Sequence, residues 1–246
     1  MPNKQTPVIL MKPELTPKIS EHPHASDEAL AECTADEIAS ALKNAIDLRG
    51  RATLVVSGGR SPVPMFQILS KKDLPWERVT VTLVDDRLVD PDSIESNELT
   101  VRRNLLVGPA SASRFIPLVD RFGEAKAPCF NASELAELSR EPFDVTVMGL
   151  GPDGHTASWF PDSPAIDECL RSSSPCTLLA SSSARTRRIT MTPAAVLNSR
   201  LIVLQFSGAE KHEVYRRARN QGPLEELPVR AILQQNAAPV SVHFSS

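Results

Sequence analysis

Short, continuous apolar runs alternate with helix-forming segments along most of this chain, and that alternation limits the fold more than any other feature. Residues 52–56 (ATLVV), 78–84 (RVTVTLV), 114–119 (RFIPLV), 143–150 (FDVTVMGL) and 200–206 (RLIVLQF) read as strands. Between them, residues 27–46, 62–70, 98–106, 133–140, 193–199 and 209–219 read as helices. Strands this apolar need cover on both faces, so the pattern predicts an α/β fold with a doubly wound, mostly parallel sheet and helices on each side. The first helix is the clearest. Ala31, Ala35, Ile38, Leu42 and Ile46 form one stripe, Ser26 stands at the N-cap position and Gly50 closes the segment. For the second helix, Ser61 is the expected cap and Pro62 the first helical residue.

A chain of 246 residues, 41% hydrophobic and 23% charged, can bury a sizeable core. We expect one domain over residues 26–246, preceded by an N-terminal extension or partly ordered segment at 1–25. That segment has an apolar patch from Val8 to Met11, bracketed by Pro7 and Pro13 and followed by no small-residue cleavage site. No run is long enough to span a bilayer, so a cytoplasmic location and no membrane partner are expected. The net charge of −3, with no dense basic run, argues against nucleic acid as a partner. Small anions need only a local basic patch. Cys33, Cys129, Cys169 and Cys176 form no C-x-x-C pair and fit no common zinc spacing, which predicts reduced thiols and no metal.

Ligands of such sheets bind off the carboxyl ends of the strands, so the loops there are the place to look for function. The first is Ser57-Gly58-Gly59-Arg60-Ser61, where backbone N–H groups gather beside an arginine. It fits an anion nest, or a tight turn whose glycines only supply positive φ. It lacks the G-K-[ST] end of a Walker A loop. The second carries Asp85, Asp86 and Arg87 at a strand end, a structural ion pair or a working group. Two further loops bring basic residues, Arg185, Arg187 and Arg188 in one and Lys211 behind Gly208 in the other. These are either solvated charges or cations aimed at the same crevice.

The remaining loop spells G-x-G-x-x-G at Gly149, Gly151 and Gly154, the pattern of a dinucleotide-binding turn. Its context does not fit. Pro161 and Pro164 cut the helix after residues 156–160, and Asp167 and Glu168 precede the next apolar run instead of following it. What remains is a glycine-built loop presenting Asp153 and His155, suited to a histidine base oriented by a carboxylate. His22 and His24 in the polar N-terminal segment, His212 in a charged helix and His243 near the end look less promising.

In order, the stretches SGGRSP, DDRLV with SNELTVRRNLL, GLGPDGHTASWFP, and RRITMTPAAVLNSRLIVLQFSGAEK closely resemble the glucosamine-6-phosphate isomerase/6-phosphogluconolactonase family, on its lactonase side. The resemblance runs from about Ser26 to the C-terminus. It implies a single Rossmann-like domain related to glucosamine-6-phosphate deaminase, and hydrolysis of 6-phosphoglucono-1,5-lactone in the oxidative pentose phosphate pathway without metal or organic cofactor. It further implies His155 as general base, Arg87 as charge stabiliser, and Asp85 and Asp153 as holders of substrate or histidine. The phosphate would sit on Ser57, Gly58, Gly59, Arg60 and Ser61, clamped by Arg188 and Lys211. The implied partner is a small sugar phosphate lactone. Monomer and homodimer both stay open.

The chain departs from the family pattern in one loop. It has Asp86 where the family usually has glutamate, Asp90 in place of a proline, and Ser93 where a histidine is common. The shorter Asp86 is expected to loosen a hydrogen bond near the site. Two other readings stand beside the lactonase. One is the sister deaminase, whose D-G-H loop typically continues into a Phe-Asn-Glu run, replaced here by Ser158, Trp159 and Phe160. The other is a sugar-phosphate sensor that keeps the fold without the chemistry.

Overall fold

The structure, a computed structural model, describes residues 18–119, 132–180 and 186–246. In chain order the elements begin with β1 (Ile19–His24), α1 (Asp27–Arg49), β2 (Ala52–Val56), α2 (Val63–Leu69), β3 (Val79–Leu83) and β4 (Asp85–Arg87). Next come α3 (Asn97–Asn104), β5 (Arg114–Ile116), α4 (Ala132–Leu138), β6 (Val145–Gly149), α5 (Ile166–Arg171) and β7 (Cys176–Leu179). The chain ends with β8 (Arg188–Met191), α6 (Pro193–Val196), β9 (Ile202–Ser207), α7 (Ala209–Ala218), α8 (Arg230–Leu233) and β10 (Val240–Ser245).

Seven strands form one sheet in the order β1-β10-β9-β6-β2-β3-β5, and every neighbouring pair is parallel. Successive side chains of a strand point to opposite faces, so β10 shows what covers each side. Ser241 and His243 bond to Glu37 of α1, whereas Phe244 packs with Tyr215 and His212 of α7 on the other face. Helices therefore cover both faces, as the two-sided apolar strands require. Among the described residues, no helix is long and apolar enough to cross a membrane.

Helix α1 follows its sequence signals. The Ser26 side chain accepts from the Ala29 N–H, and Gly50 ends the helix at φ 75° with its N–H on the Ile46 carbonyl. Its expected stripe is buried throughout.

Three local expectations need correction. Helix α2 starts at Val63 with Pro62 in the cap position and no side-chain cap, so Ser61 does not cap it. Residues 156–160 form a turn closed by Trp159 N–H on the Thr156 carbonyl, not a helix. Residues 19–24, read as part of an N-terminal extension, form strand β1 along the edge beside β10. A feature not anticipated is a second sheet, the antiparallel trio β4-β8-β7. Cys169 and Cys176 are buried free thiols pushed by that burial up to about 12, Cys33 is exposed, and Cys129 lies outside the described residues.

The amino ends of β2 and β6 are tied by one carboxylate. Asp144 accepts from Arg49 Nη2 at 2.5 Å, Thr53 N–H at 2.8 Å and Arg200 Nε at 3.3 Å, and its own N–H donates to Thr53 Oγ1 at 2.8 Å. Asp144 is buried while both arginines are partly exposed, so the network stabilises less than a fully enclosed one. Asp144→Ala is expected to lower the unfolding free energy by about 2–3 kcal/mol, read from urea denaturation, because a buried N–H and two cations lose their acceptor.

Candidate active site

The winding direction reverses at the middle of the sheet. From β2 the chain moves outward to β3 and β5, and it then returns to lay β6 on the other side of β2, followed outward by β9 and β10. The loops that leave β2 and β6 therefore diverge and leave a crevice between them. A cleft of about 460 Å³ lies there. Ser57, Gly58, Gly59, Arg60, Ser61, Asp85, Arg87, His155, Arg188 and Lys211 all line it. Asp153 reaches it through its bond to His155.

The loop after β6 is folded around that bond. Asp153 Oδ1 accepts from the His155 N–H at 3.1 Å and from its ring Nδ1 at 2.5 Å, which in the neutral ring places the proton on Nδ1 and the lone pair on Nε2. Burial pushes the Asp153 carboxyl up, but the His155 ring, by hydrogen bond and charge, and nearby backbone N–H groups hold it below its ordinary value. Gly151 makes the arrangement fit: a Cβ there would stand 2.1 Å from Nδ1 and 2.7 Å from Asp153 Oδ1. Gly151 N–H also donates to the His155 carbonyl at 2.8 Å. Gly154 takes φ 87° with its carbonyl on the Val229 N–H, and a Cβ there would meet Leu227 Cδ2 at 2.5 Å. Phe160 packs on the His155 ring at 4.7 Å between centroids.

The opposite wall is built from β4 and the start of α3. Gly58 lets Asn97 approach so closely that a Cβ would lie 2.2 Å from its Cγ. Asn97 Oδ1 accepts from Arg87 Nη1 at 2.5 Å, and its Nδ2 donates to the Asp85 carbonyl at 2.9 Å. Arg87 also donates to the Glu95 carbonyl at 3.0 Å. Asp85 accepts from the buried Ser158 hydroxyl at 2.5 Å. Both groups are held before any ligand arrives.

Asp86 lies outside the cleft and supports it. Its carboxylate accepts the N–H groups of Arg87 and Asn97 at 2.7 Å and of Glu98 at 3.0 Å, with the Ser96 hydroxyl at 3.3 Å. The carboxylate thereby ties β4 to the first turn of α3. Burial pushes Asp86 up to about 6 against the downward pull of those three N–H groups. In the same loop Asp90 and Ser93 close side-chain turns onto the N–H groups of Asp92 and Glu95.

The basic side of the cleft combines Arg60, Arg87, Arg188 and Lys211. Lys211 sits in the first turn of α7, behind Gly208 at φ 95°. Burial, then the Arg87 charge, hold Arg188 below the ordinary guanidinium value, and its guanidinium lies 5.6 Å from the Phe160 ring centre. Arg187 is exposed, and Arg185 lies outside the described residues. Ser57 Oγ, Arg188 Nε and Gln205 Oε1 are buried with no hydrogen-bond partner. All three residues line the cleft, so one hydroxyl, one cationic N–H and one acceptor face it unengaged by other protein groups.

Asn97, Ser158 and Gln205 are site residues that the sequence reading passed over. Asn97 lay within the quoted SNELT stretch. Gln205 was a lone polar residue inside an apolar strand, which was the available signal. No set of metal-ligating side chains within mutual reach lies in the cleft among the described residues.

Gly151→Ala should separate the Asp153–His155 pair while the sheet stays folded. The check is the low-field proton resonance of His155 Nδ1–H, expected in the parent and lost in the variant. Its persistence would show that the loop tolerates a side chain there.

Comparison with known proteins identifies the family. Residues 25–241 match the family described as glucosamine-6-phosphate isomerases/6-phosphogluconolactonase. A 6-phosphogluconolactonase of Rhizobium meliloti (strain 1021) is 38% identical over 91% of this chain and 97% of its own. The crystal structure of a 6-phosphogluconolactonase from Shewanella baltica OS155 superposes with a TM-score of 0.86 at 40% identity, covering 92% of this chain and 97% of that one. A monomeric glucosamine-6-phosphate deaminase shares the fold alone, with a TM-score of 0.70 at 18% identity over 93% of this chain and 97% of its own. The chain belongs to the glucosamine-6-phosphate isomerase/6-phosphogluconolactonase family.

Proposed function

We propose that this chain hydrolyses 6-phospho-D-glucono-1,5-lactone to 6-phospho-D-gluconate in the oxidative pentose phosphate pathway, with His155 as general base. The observation that carries the reading is the 2.5 Å Asp153–His155 bond, which leaves Nε2 free in a cleft whose other walls are basic. Nε2 takes a proton from a water whose oxygen attacks the lactone carbonyl carbon. Arg87, fixed by Asn97 and the Glu95 carbonyl, stabilises the negative charge on the carbonyl oxygen. Collapse of the intermediate breaks the bond to the ring oxygen, which leaves with the proton from Nε2. Asp153 keeps the imidazolium aligned between the two transfers. Asp85 accepts from a substrate hydroxyl.

The phosphate belongs on Ser57, Gly58, Gly59, Arg60 and Ser61, with Arg188 and Lys211 closing on it. Each cation adds a charge-assisted contact remote from the reacting carbon. Ser57 Oγ and Arg188 Nε would gain the partners they lack. The deaminase alternative lacks its ring-opening glutamate, since Ser158, Trp159 and Phe160 occupy that stretch and are committed to packing and to Asp85.

The decisive experiment generates the lactone in situ and follows its loss with and without the protein. His155→Ala should lower turnover by about 10² or more with the fold intact, and near-parental hydrolysis would place the base elsewhere. Arg188→Ala and Lys211→Ala should mainly raise KM; unchanged KM and kcat/KM would remove that residue from the phosphate site. Binding of 6-phosphogluconate without any acceleration of lactone loss would favour the sensor.

In calorimetry, 6-phosphogluconate and inorganic phosphate should bind in competition with substrate, and NAD and NADP should not bind. Micromolar binding of a dinucleotide, with none by 6-phosphogluconate, would overturn the hydrolase reading.

A further inference from the structure

Three of the chain's five histidines meet at the edge of the sheet, away from the cleft. His22 and His24 alternate along β1, and the register places His22 opposite His243 of β10, so all three side chains share the face covered by α1. The His22 and His243 rings stack at 4.7 Å between centroids, and His24 and His243 at 5.2 Å. Glu37 of α1 completes the group, its Oε2 lying 2.5 Å from His243 Nε2 and accepting from Ser241 Oγ at 2.8 Å. His24 Nε2 is 3.0 Å from His243 Nδ1.

A buried histidine bonded to a glutamate needs no ligand to account for it. That pair and the His24 bond to His243 Nδ1 leave the stacked His22 ring unexplained. Three adjacent rings repel one another when protonated, whereas neutral rings gather nitrogen lone pairs that a cation can use. His243 is buried while His22, His24 and Glu37 are half-exposed, so the group is anchored within and open to solvent without.

We propose that His22, Glu37 and His243 form a binding site for a divalent transition metal of the zinc class, with His24 as its outer partner. One ligand atom from each of the three lies within 4.8 Å of the others. Tetrahedral zinc, with bonds of about 2.0–2.2 Å, holds its ligand atoms about 3.3–3.5 Å apart, so the half-exposed Glu37 carboxylate, 2.5 Å from His243 Nε2, must draw back by about 1 Å to admit the ion between them, and the half-exposed His22 ring supplies the third ligand atom. The His243 proton moves from Nε2 to Nδ1. Nε2 then gives its lone pair to the metal, and Nδ1–H donates to His24 Nε2, the outer hydrogen bond that metal-bound histidines usually have. Water takes the fourth position. Two imidazoles and one carboxylate select zinc, nickel or copper over magnesium and calcium. The metal would tie β1 to β10 and α1, fastening the edge strand of the sheet.

The test uses the full chain after dialysis against a chelator, with zinc added at about 100 times its dissociation constant. Thermal unfolding should shift upward by about 5–10 °C with one equivalent bound by calorimetry, and magnesium should leave it unchanged. His22→Ala, a half-exposed edge position, should fold as the parent does and lose the shift; Glu37→Gln should lose most of it. Cobalt(II) should give visible ligand-field absorption in the parent and not in His22→Ala. Absence of any zinc-dependent shift, or an equal shift in both variants, would overturn the site, the latter by placing the metal elsewhere.

Discussion

Everything at the active end of the molecule depends on the parallel pairing of β2 with β6. Leu54, Val55 and Val56 align with Val145, Thr146 and Val147, and the Ser57 N–H extends the ladder onto the Val147 carbonyl. The loop after β2 therefore leaves opposite Val147, while β6 runs on to Gly149 beside β9 before it releases its own loop. Because the chain proceeds to opposite sides from these two strands, neither loop can fold over the other, and the crevice follows from topology before any side chain is chosen. The Asp144 network anchors the far ends of the same two strands, so the register that sets the height of the loops is held from below.

Within that crevice, most polar groups are satisfied by protein and a few are not. Arg87, Asp85 and His155 each have a dedicated partner that fixes their direction, Asn97, Ser158 and Asp153 respectively. Catalysis by oriented dipoles and charges needs this, since little reorganisation is then left for the moment of reaction. Ser57 Oγ, Arg188 Nε and Gln205 Oε1 are left without partners, and a buried group of this kind costs about 1–3 kcal/mol. Arg188 also carries the repulsion of Arg87.

The fold was legible in the sequence wherever periodicity and packing agree. Helix α1, with its Ser26 cap, buried stripe and Gly50 stop, is an example, as are the apolar strands of the central sheet. Legibility failed where tertiary pairing overrides local signals. Ser61 has the chemistry of a cap, yet the chain takes a further turn before α2 begins. Residues 85–87 looked like a strand end and are a short strand of their own, because β8 offers an antiparallel edge that only the fold brings near. His155, Asp153 and Lys211 stand out in the sequence because they lie at element ends close behind glycine, and the structure sets His155 and Lys211 in the wall of the cleft. Asn97 and Ser158 were not legible, since what makes them matter is a partner 10 to 73 positions away. The histidine cluster was dismissed for the same reason: His22 and His243 are 221 positions apart in sequence and adjacent in register.

The G-x-G-x-x-G run shows how one pattern can arise from different physics. In a dinucleotide turn the glycines admit a pyrophosphate to the backbone and lead into a helix whose amino end faces it. Here Gly151 makes room for the protein's own Asp153–His155 pair, and Gly154 packs at positive φ against Leu227. The chain then enters a turn at residues 156–160, with Trp159 Nε1–H on the Met191 carbonyl, so no helix amino end is offered. The space a pyrophosphate would need is filled by a carboxylate and an imidazole. In the neighbouring loop after β2, Gly59 takes a positive φ and Arg60 brings a charge to the cleft. The two glycine loops thus bring different chemistry to the cleft, one an Asp153–His155 pair and the other a glycine turn beside an arginine.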